Sequence, residues 1–335
     1  MRPALRALTA VTGAVGLALA AACGASAGSQ PGTGGSATAS AHAQPLPVVT
    51  STNVWADVAR QIGGDRVSVR ALITDPSQDP HSFQPSGRDE LAVSRAAVII
   101  QNGGGYDDVM SMMVDAVDST ATVVTAVAAA QAVLAQGPAG TRETGPTGEA
   151  AHDPAADESP GETNEHIWYD LDAVSAVAAR IANAFASLDP DAASQFQRNL
   201  HDFQADLAPL RRAIEQIRQR HRGAPVAITE PLPVYLVEAA GLTNVTPPEF
   251  SEALEEGIDV TPSVLSDTVA LFTRQKVKVL LYNEQSTSPQ SDQVLAAAKD
   301  NGVPVVPVTE TLPAGQHYAG WMRGTIDALA RALDR

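Results

Sequence analysis

Four side chains stand where they could hold a cation. His81 lies in the stretch DPHSFQPS, between Pro80 and Pro85. Two prolines fix φ and restrict the residues before them, so this loop is stiff. His166 lies in NEHIWYD beside Trp168 and Tyr169. Glu230 closes the run VAIT and precedes Pro231-Leu232-Pro233, and Glu310 closes VVPVT and precedes Thr311-Leu312-Pro313. Singly, each has an ordinary reading: a surface histidine, or a glutamate capping a helix. Together, two imidazoles and two carboxylates facing one cleft suit a divalent transition metal, with Zn2+ or Mn2+ the candidates. Copper(II) binds such donors more tightly by intrinsic order, so selectivity would have to come from cavity geometry.

The elements that must position these groups alternate along the chain. The pattern predicts strands over 48–51, 67–73 and 97–100, with helices over 53–62, 87–95 and from about 107. Gly103-Gly104-Gly105 reads as a strand-to-helix turn rather than a phosphate cradle. Helical sequence resumes near Leu171. From Ala192 to His221, apolar residues recur at Phe196, Leu200, Phe203, Leu207, Leu210, Ile214 and Ile217. Steps of four and three give one stripe along a helix of roughly 45 Å at about 1.5 Å per residue. Coiled-coil pairing is one reading of that stripe. A brace between two lobes is the better one, because new α/β units follow: strands over 226–229, 277–282 and 303–308, helices over 234–240, 262–274, 290–300 and 317–333. The fold class is therefore α/β, with two lobes, each a mostly parallel sheet with flanking helices, joined by one long backbone helix. Glu230 and Glu310 fall beyond the carboxyl ends of strands, where open α/β sheets bind ligands. His81 and His166 fall in loops of the first lobe.

The ends and the charge narrow the class. Residues 1–22 carry Arg2 and Arg6, then a short apolar run ending Ala20-Ala21-Ala22-Cys23. This resembles a bacterial lipoprotein signal with Cys23 lipidated, although Ala20 stands where leucine is usual; simple secretory cleavage nearby is the alternative. Cys23 is the one cysteine, which excludes a disulfide framework. Residues 23–45 are small and polar and read as a flexible tether. The formal G-x-S-x-G at Gly24–Gly28 lacks the strand and helix of a nucleophile elbow. Net charge is −16, or −18 once Arg2 and Arg6 are gone, which argues against nucleic acid and anionic surfaces and favours cations. Residues 136–165 carry seven acids against Arg142 and read as an acidic, disordered insertion. With His152 it could gather cations weakly, or do nothing.

These motifs resemble those of the zinc/manganese substrate-binding lipoproteins of bacterial ABC importers. The resemblance covers about 46–335 and is carried by TSTNVWADVARQIGGDRV, DPHSFQPS, QNGGGYDD, HIWYD, ITEPLPVYLVEAAGL and VTETLPAGQHYAGWM. It implies metal ligation by His81, His166, Glu230 and Glu310, with glutamate standing for histidine at the third position of zinc members and for aspartate at the fourth. It implies an N-terminal lobe over 46–190, a linking helix over 191–222 and a C-terminal lobe over 223–335. It further implies a monomer anchored outside the cell membrane by Cys23, partnered by an ABC permease, with limited hinge motion. A metal-dependent hydrolase in the same cleft is the alternative; it would need an open coordination position and a general base, and no H-E-x-x-H is present, though Asp79 is a conceivable base. A surface adhesin on the same scaffold has no specific support.

Overall fold

The computed structural model describes residues 44–75, 83–134 and 164–335. The signal segment, Cys23, the tether, His81 and nearly all of the acidic insertion lie outside the described residues. The first half runs β1 (Leu46–Thr52), α1 (Asn53–Gly63), β2 (Val67–Ile73), α2 (Gly87–Ser94), β3 (Val98–Gln101), α3 (Asp108–Ala116), β4 (Thr122–Thr125), α4 (Ala126–Leu134) and α5 (Leu171–Leu188). Its strands form one parallel sheet in the order β2-β1-β3-β4. The central strands are buried on both faces, as parallel sheets between helices must be. Alternation divides their side chains: Val48, Val98 and Ile100 join the main core, whereas Val49 and Ile99 join a second cluster with Met110 and Met113 of α3.

After α6 (Ala193–His221) come β5 (Pro225–Ile228), α7 (Val234–Ala239), β6 (Thr243–Asn244), α8 (Pro248–Glu255), α9 (Pro262–Thr273), β7 (Val279–Asn283), α10 (Pro289–Asp300), β8 (Val305–Val308) and α11 (Tyr318–Leu333). The second sheet is also parallel, in the order β6-β5-β7-β8. Both lobes thus share one topology, a repeat that the sequence does not display. β4, α4, β6 and α8 were not anticipated. Alanine dominates 126–132, which blurs the period, and Pro247-Pro248 looks like a loop although proline at the first helical position starts α8.

The long helix carries its whole predicted stripe inward: Phe196, Leu200, Phe203, Leu207, Leu210, Ile214 and Ile217 are all buried. They pack within one core that contains residues of both lobes, beside α1, α5 and α11. The stripe is therefore satisfied within the chain, and the coiled-coil reading is set aside. α5 is long and apolar enough to cross a membrane by length and composition, yet half of it is buried against α1, α4 and α6, as a core helix is.

Polar latches close the seam between the lobes. Asn53 Nδ2 donates to Leu312 O at 2.8 Å and Asn53 Oδ1 accepts from Leu312 N at 2.8 Å. Tyr169 donates to Thr309 O at 2.9 Å and accepts from Thr309 N at 3.1 Å. Tyr318 Oη donates to Trp168 O at 2.7 Å. Asp57 of α1, buried, accepts from Tyr318 N at 2.8 Å and lies 2.7 Å from His317 Nδ1, capping α11 from the other lobe.

The segment holding His81 re-enters the described chain at Phe83 and is pinned just afterwards. Asp89 Oδ2 accepts from Ser86 N at 2.9 Å and Ser86 Oγ at 2.7 Å, and Oδ1 accepts from Arg70 at 2.6 Å. The reach back to the N-cap amide starts α2. Burial pushes the Asp89 carboxyl up, but the Ser86 donors and Arg70 outweigh it and hold the group below its ordinary 3.8. Its stabilising contribution is then present above that value and lost as pH falls through the lower folded value. Asp89→Ala is expected to cost about 1–2 kcal/mol at neutral pH. Urea denaturation should show this gap closing below the ordinary aspartate range; an equal gap at pH 7 and pH 2.5 would contradict the assignment.

Candidate metal centre

Adjacent strands of the second sheet place three groups in a row. Glu230 follows β5 by two residues, Asn283 ends β7, and Glu310 follows β8 by two. Neighbouring strands lie about 4.8 Å apart, so the amide on the middle strand sits between carboxylates on the outer two. Asn283 Nδ2 donates to Glu230 Oε2 in a short contact and to Glu310 Oε1 at 2.9 Å. The amide is oriented because its Oδ1 accepts from Gln285 N at 3.0 Å. Gln285 Oε1 in turn accepts from the backbone of Glu310 at 2.5 Å and Thr311 at 3.0 Å, which fixes the loop after β8. Neither glutamate is a solvated strand end: Glu230 is 3% and Glu310 7% exposed. Glu230 Oε1 is buried with no hydrogen-bond partner among the described residues.

His166 approaches from the first lobe, just before a single 3-10 turn over Ile167–Tyr169 that leads into α5. Its ring is buried between Tyr106 and Trp168, with centroids at 5.9 and 5.1 Å. Asn164 Oδ1 lies 2.9 Å from both the backbone N and Nδ1 of His166. Asn164 Nδ2 donates to Pro231 O at 2.9 Å, so the carbonyl end must face the histidine. The proton therefore belongs on Nδ1, and Nε2 is the nitrogen available for coordination. The loop is held from both sides: Asn102, beyond β3, donates to Glu165 O at 2.9 Å, and Tyr235 of α7 donates to Asn164 O at 2.8 Å. The preceding turn admits only glycine where it is tightest: Gly103 has φ 76°, and an added Cβ would stand 2.5 Å from Thr125 Cγ2.

Of the four sequence-derived candidates, the structure gathers three. Tyr106, packed on His166, donates to Glu310 Oε2 at 3.4 Å, and the charges of Glu310 and Glu230 are mutually felt. His81 lies outside the described residues. A residue not singled out by sequence joins them: Glu255, the last residue of α8, places Oε1 3.1 Å from His166 Nε2. Glu165, His166 and Glu255 offer ligand atoms that all lie within 4.8 Å of one another. Glu255 ends an acid-rich helix preceded only by the two-residue β6, too short to read in the sequence, so only its place in space marks it. One imidazole, His166, and the carboxylates of Glu165, Glu230, Glu255 and Glu310 are donor types that could hold a divalent cation.

Zinc-uptake complex component A, periplasmic (ZnuA), is the family whose description matches residues 48–332. The chain belongs to this family. A manganese-binding lipoprotein MntA of Halalkalibacterium halodurans is 25% identical over 300 residues, covering 87% of this chain and 89% of the relative. A putative metal-binding protein of Treponema pallidum is 26% identical over 170 residues, about half of each chain. A crystal structure of ZnuA aligns with a TM-score of 0.64 at 22% identity, over 86% of this chain and 97% of the other. That likeness bears out the two-lobed α/β fold.

In this ZnuA-family protein the carboxylates strain against burial. Desolvation is the main cause that lifts Glu230 from 4.5 to about 7; the Asn283 donor and Ser286 pull it down, while the charges of Glu255 and Glu310 push it up. Burial disfavours a charged His166, but Glu255 first, then Glu165 and Glu310, outweigh it and hold the imidazole above its ordinary 6.5. The sign for Glu230 is clear: between about pH 4.5 and 7 the folded chain keeps a proton that the unfolded chain releases, so its contribution to stability falls as pH rises through that window. Metal-free Glu230→Gln should accordingly be more stable than the parent at pH 8 and equal to it at pH 4.5, measured by urea denaturation in chelator. A less stable variant at pH 8 would refute the strain.

Proposed function

We propose that this protein is an extracytoplasmic solute-binding lipoprotein that captures Zn2+ or Mn2+ between two lobes, about 46–190 and 223–335, and delivers it to an ABC permease. The observation that carries the reading is the convergence of His166 from one lobe with Glu230 and Glu310 from the other at a buried seam. Membership of the zinc-uptake family supports it, as do the metal-binding names of the relatives. His81 completes the donor set in this reading, as the resemblance implies; in sequence it falls between the carboxyl end of β2 and the Ser86–Asp89 cap. Cys23 carries the lipid that keeps the protein at the membrane, and the chain acts as a monomer.

The site is suited to holding rather than reacting. Four protein donors leave little room for an activated water, whereas a metal hydrolase needs an open coordination position and a base beside it. The names of the relatives describe binding and transport, and none supports the hydrolase alternative. Buried carboxylates that repel one another when the cleft is empty give a cation a large share of its binding free energy.

Calorimetry of His81→Ala and Glu230→Ala should show each losing more affinity than the roughly 10–100-fold typical of changes outside the coordination sphere. Unchanged affinity in both variants would remove the site. Deleting residues 138–163 should leave the tight site intact, and a large loss there would move the site into the acidic insertion. In the native host, Cys23→Ser should release the protein from the membrane fraction; retention would place the anchor elsewhere.

A further inference from the structure

We propose that Asn283 is a positioning residue for the transported cation. By holding one oxygen of Glu230 and one of Glu310, its amide leaves each carboxylate a single oxygen for the ion and so keeps the bound ion releasable. This rests on the metal-carrier reading above and goes further, to what sets the ease of release.

Three observations carry it. Asn283 is fully buried, and its backbone is pinned because its N donates to Thr229 Oγ1 at 2.9 Å. Its side chain has one orientation: Oδ1 accepts from Gln285 N at 3.0 Å, so both amide hydrogens are turned toward the glutamates. Second, those hydrogens are divided evenly. Nδ2 donates to Glu230 Oε2 and, at 2.9 Å, to Glu310 Oε1. Third, the remaining oxygens are placed differently. Glu230 Oε1 is buried with no hydrogen-bond partner among the described residues, and Glu310 Oε2 is turned to Tyr106 of the first lobe, at 3.4 Å. One oxygen of each carboxylate is thus committed to the amide, and the other is left to meet a cation. Binding through both oxygens would bring the cation onto the atoms that the amide hydrogens occupy, positive charge against the positive end of the N–H dipole. The same two charge-assisted bonds relieve the repulsion between the carboxylates while no cation is bound. Both effects loosen the hold on the ion: the first removes donors from the loaded state, and the second stabilises the empty one. A carrier that must hand its cargo on gains from each.

The test compares wild type with Asn283→Leu, which nearly keeps the volume and removes both donors. Each is stripped with chelator and titrated with ZnCl2. N283L should bind Zn2+ more tightly by about tenfold, the low end of what groups just outside the coordination sphere contribute, and should release it more slowly in a chelator chase. Metal-free N283L should melt below wild type, with the gap closed by saturating Zn2+. Infrared difference spectra, loaded minus stripped, should show widely split carboxylate stretches in wild type, as for binding through one oxygen, and a narrower splitting in N283L. A residue that merely supports the loops would give weaker binding and unmoved bands. The inference is overturned if N283L binds Zn2+ equally or more weakly, if the splitting is the same in both proteins, or if wild type already shows the narrow splitting. The last of these is read on wild type alone and needs no folded variant. Wild type that binds no Zn2+ sinks the carrier reading itself, whereas tight wild-type binding that is unchanged in N283L sinks only the role given to Asn283.

Discussion

Like charges held out of water at the seam between two sheets are the constraint around which the molecule is arranged. Glu230, Glu310 and Glu255 sit close enough to feel one another in a buried place. Isolated buried anions are costly, and a buried ionic cluster is no guarantee of stability. The chain manages the empty state with two devices. One amide, Asn283, donates to carboxylates on both sides of it, and the imidazole of His166 stands against the third. Both are weaker counter-charges than a divalent ion. A divalent cation in their place would offset the repulsion between the carboxylates far more strongly.

Holding such a cluster requires a rigid surround, and the core supplies it. Both lobes contribute to one apolar cluster that includes the inward stripe of α6, and residues 43–335 form one unit. Aromatic hydroxyls and amides then stitch the seam itself, through Asn53, Tyr169 and Tyr318. The donors are thus presented by loops whose ends are fixed by strands and whose backbones are fixed by side chains of the opposite lobe. Binding to a site of that kind calls for little rearrangement.

Much of this was legible in the residues. α6 announced itself because a long amphipathic period survives any local ambiguity, and β2 because alternation over seven residues is unmistakable. Glu230 and Glu310 were legible because each follows a short apolar run and precedes a proline turn, which places it at a carboxyl edge. What the sequence concealed was pairing across distance. Asn283 looks like any strand end until β5 and β8 are seen to flank β7. Glu255 looks like one more acid on a surface helix, because no local pattern records that α8 ends opposite His166. Asn164 likewise reads as the tail of the acidic insertion, although its amide settles which nitrogen of His166 carries the proton.

The capping of α11 by Asp57 ties the last helix to the first, across a separation of 261 residues. Its first turn is completed only when an acid from the opposite end of the polypeptide has already been placed. The C-terminal half released alone would carry a final helix without its cap and a raw apolar face, and the N-terminal half alone would keep only Gln61 as a side-chain donor to Asp57. The two halves mirror each other in strand order, yet neither is an autonomous building block: whatever duplication their likeness suggests, the present molecule matures as a whole or not at all.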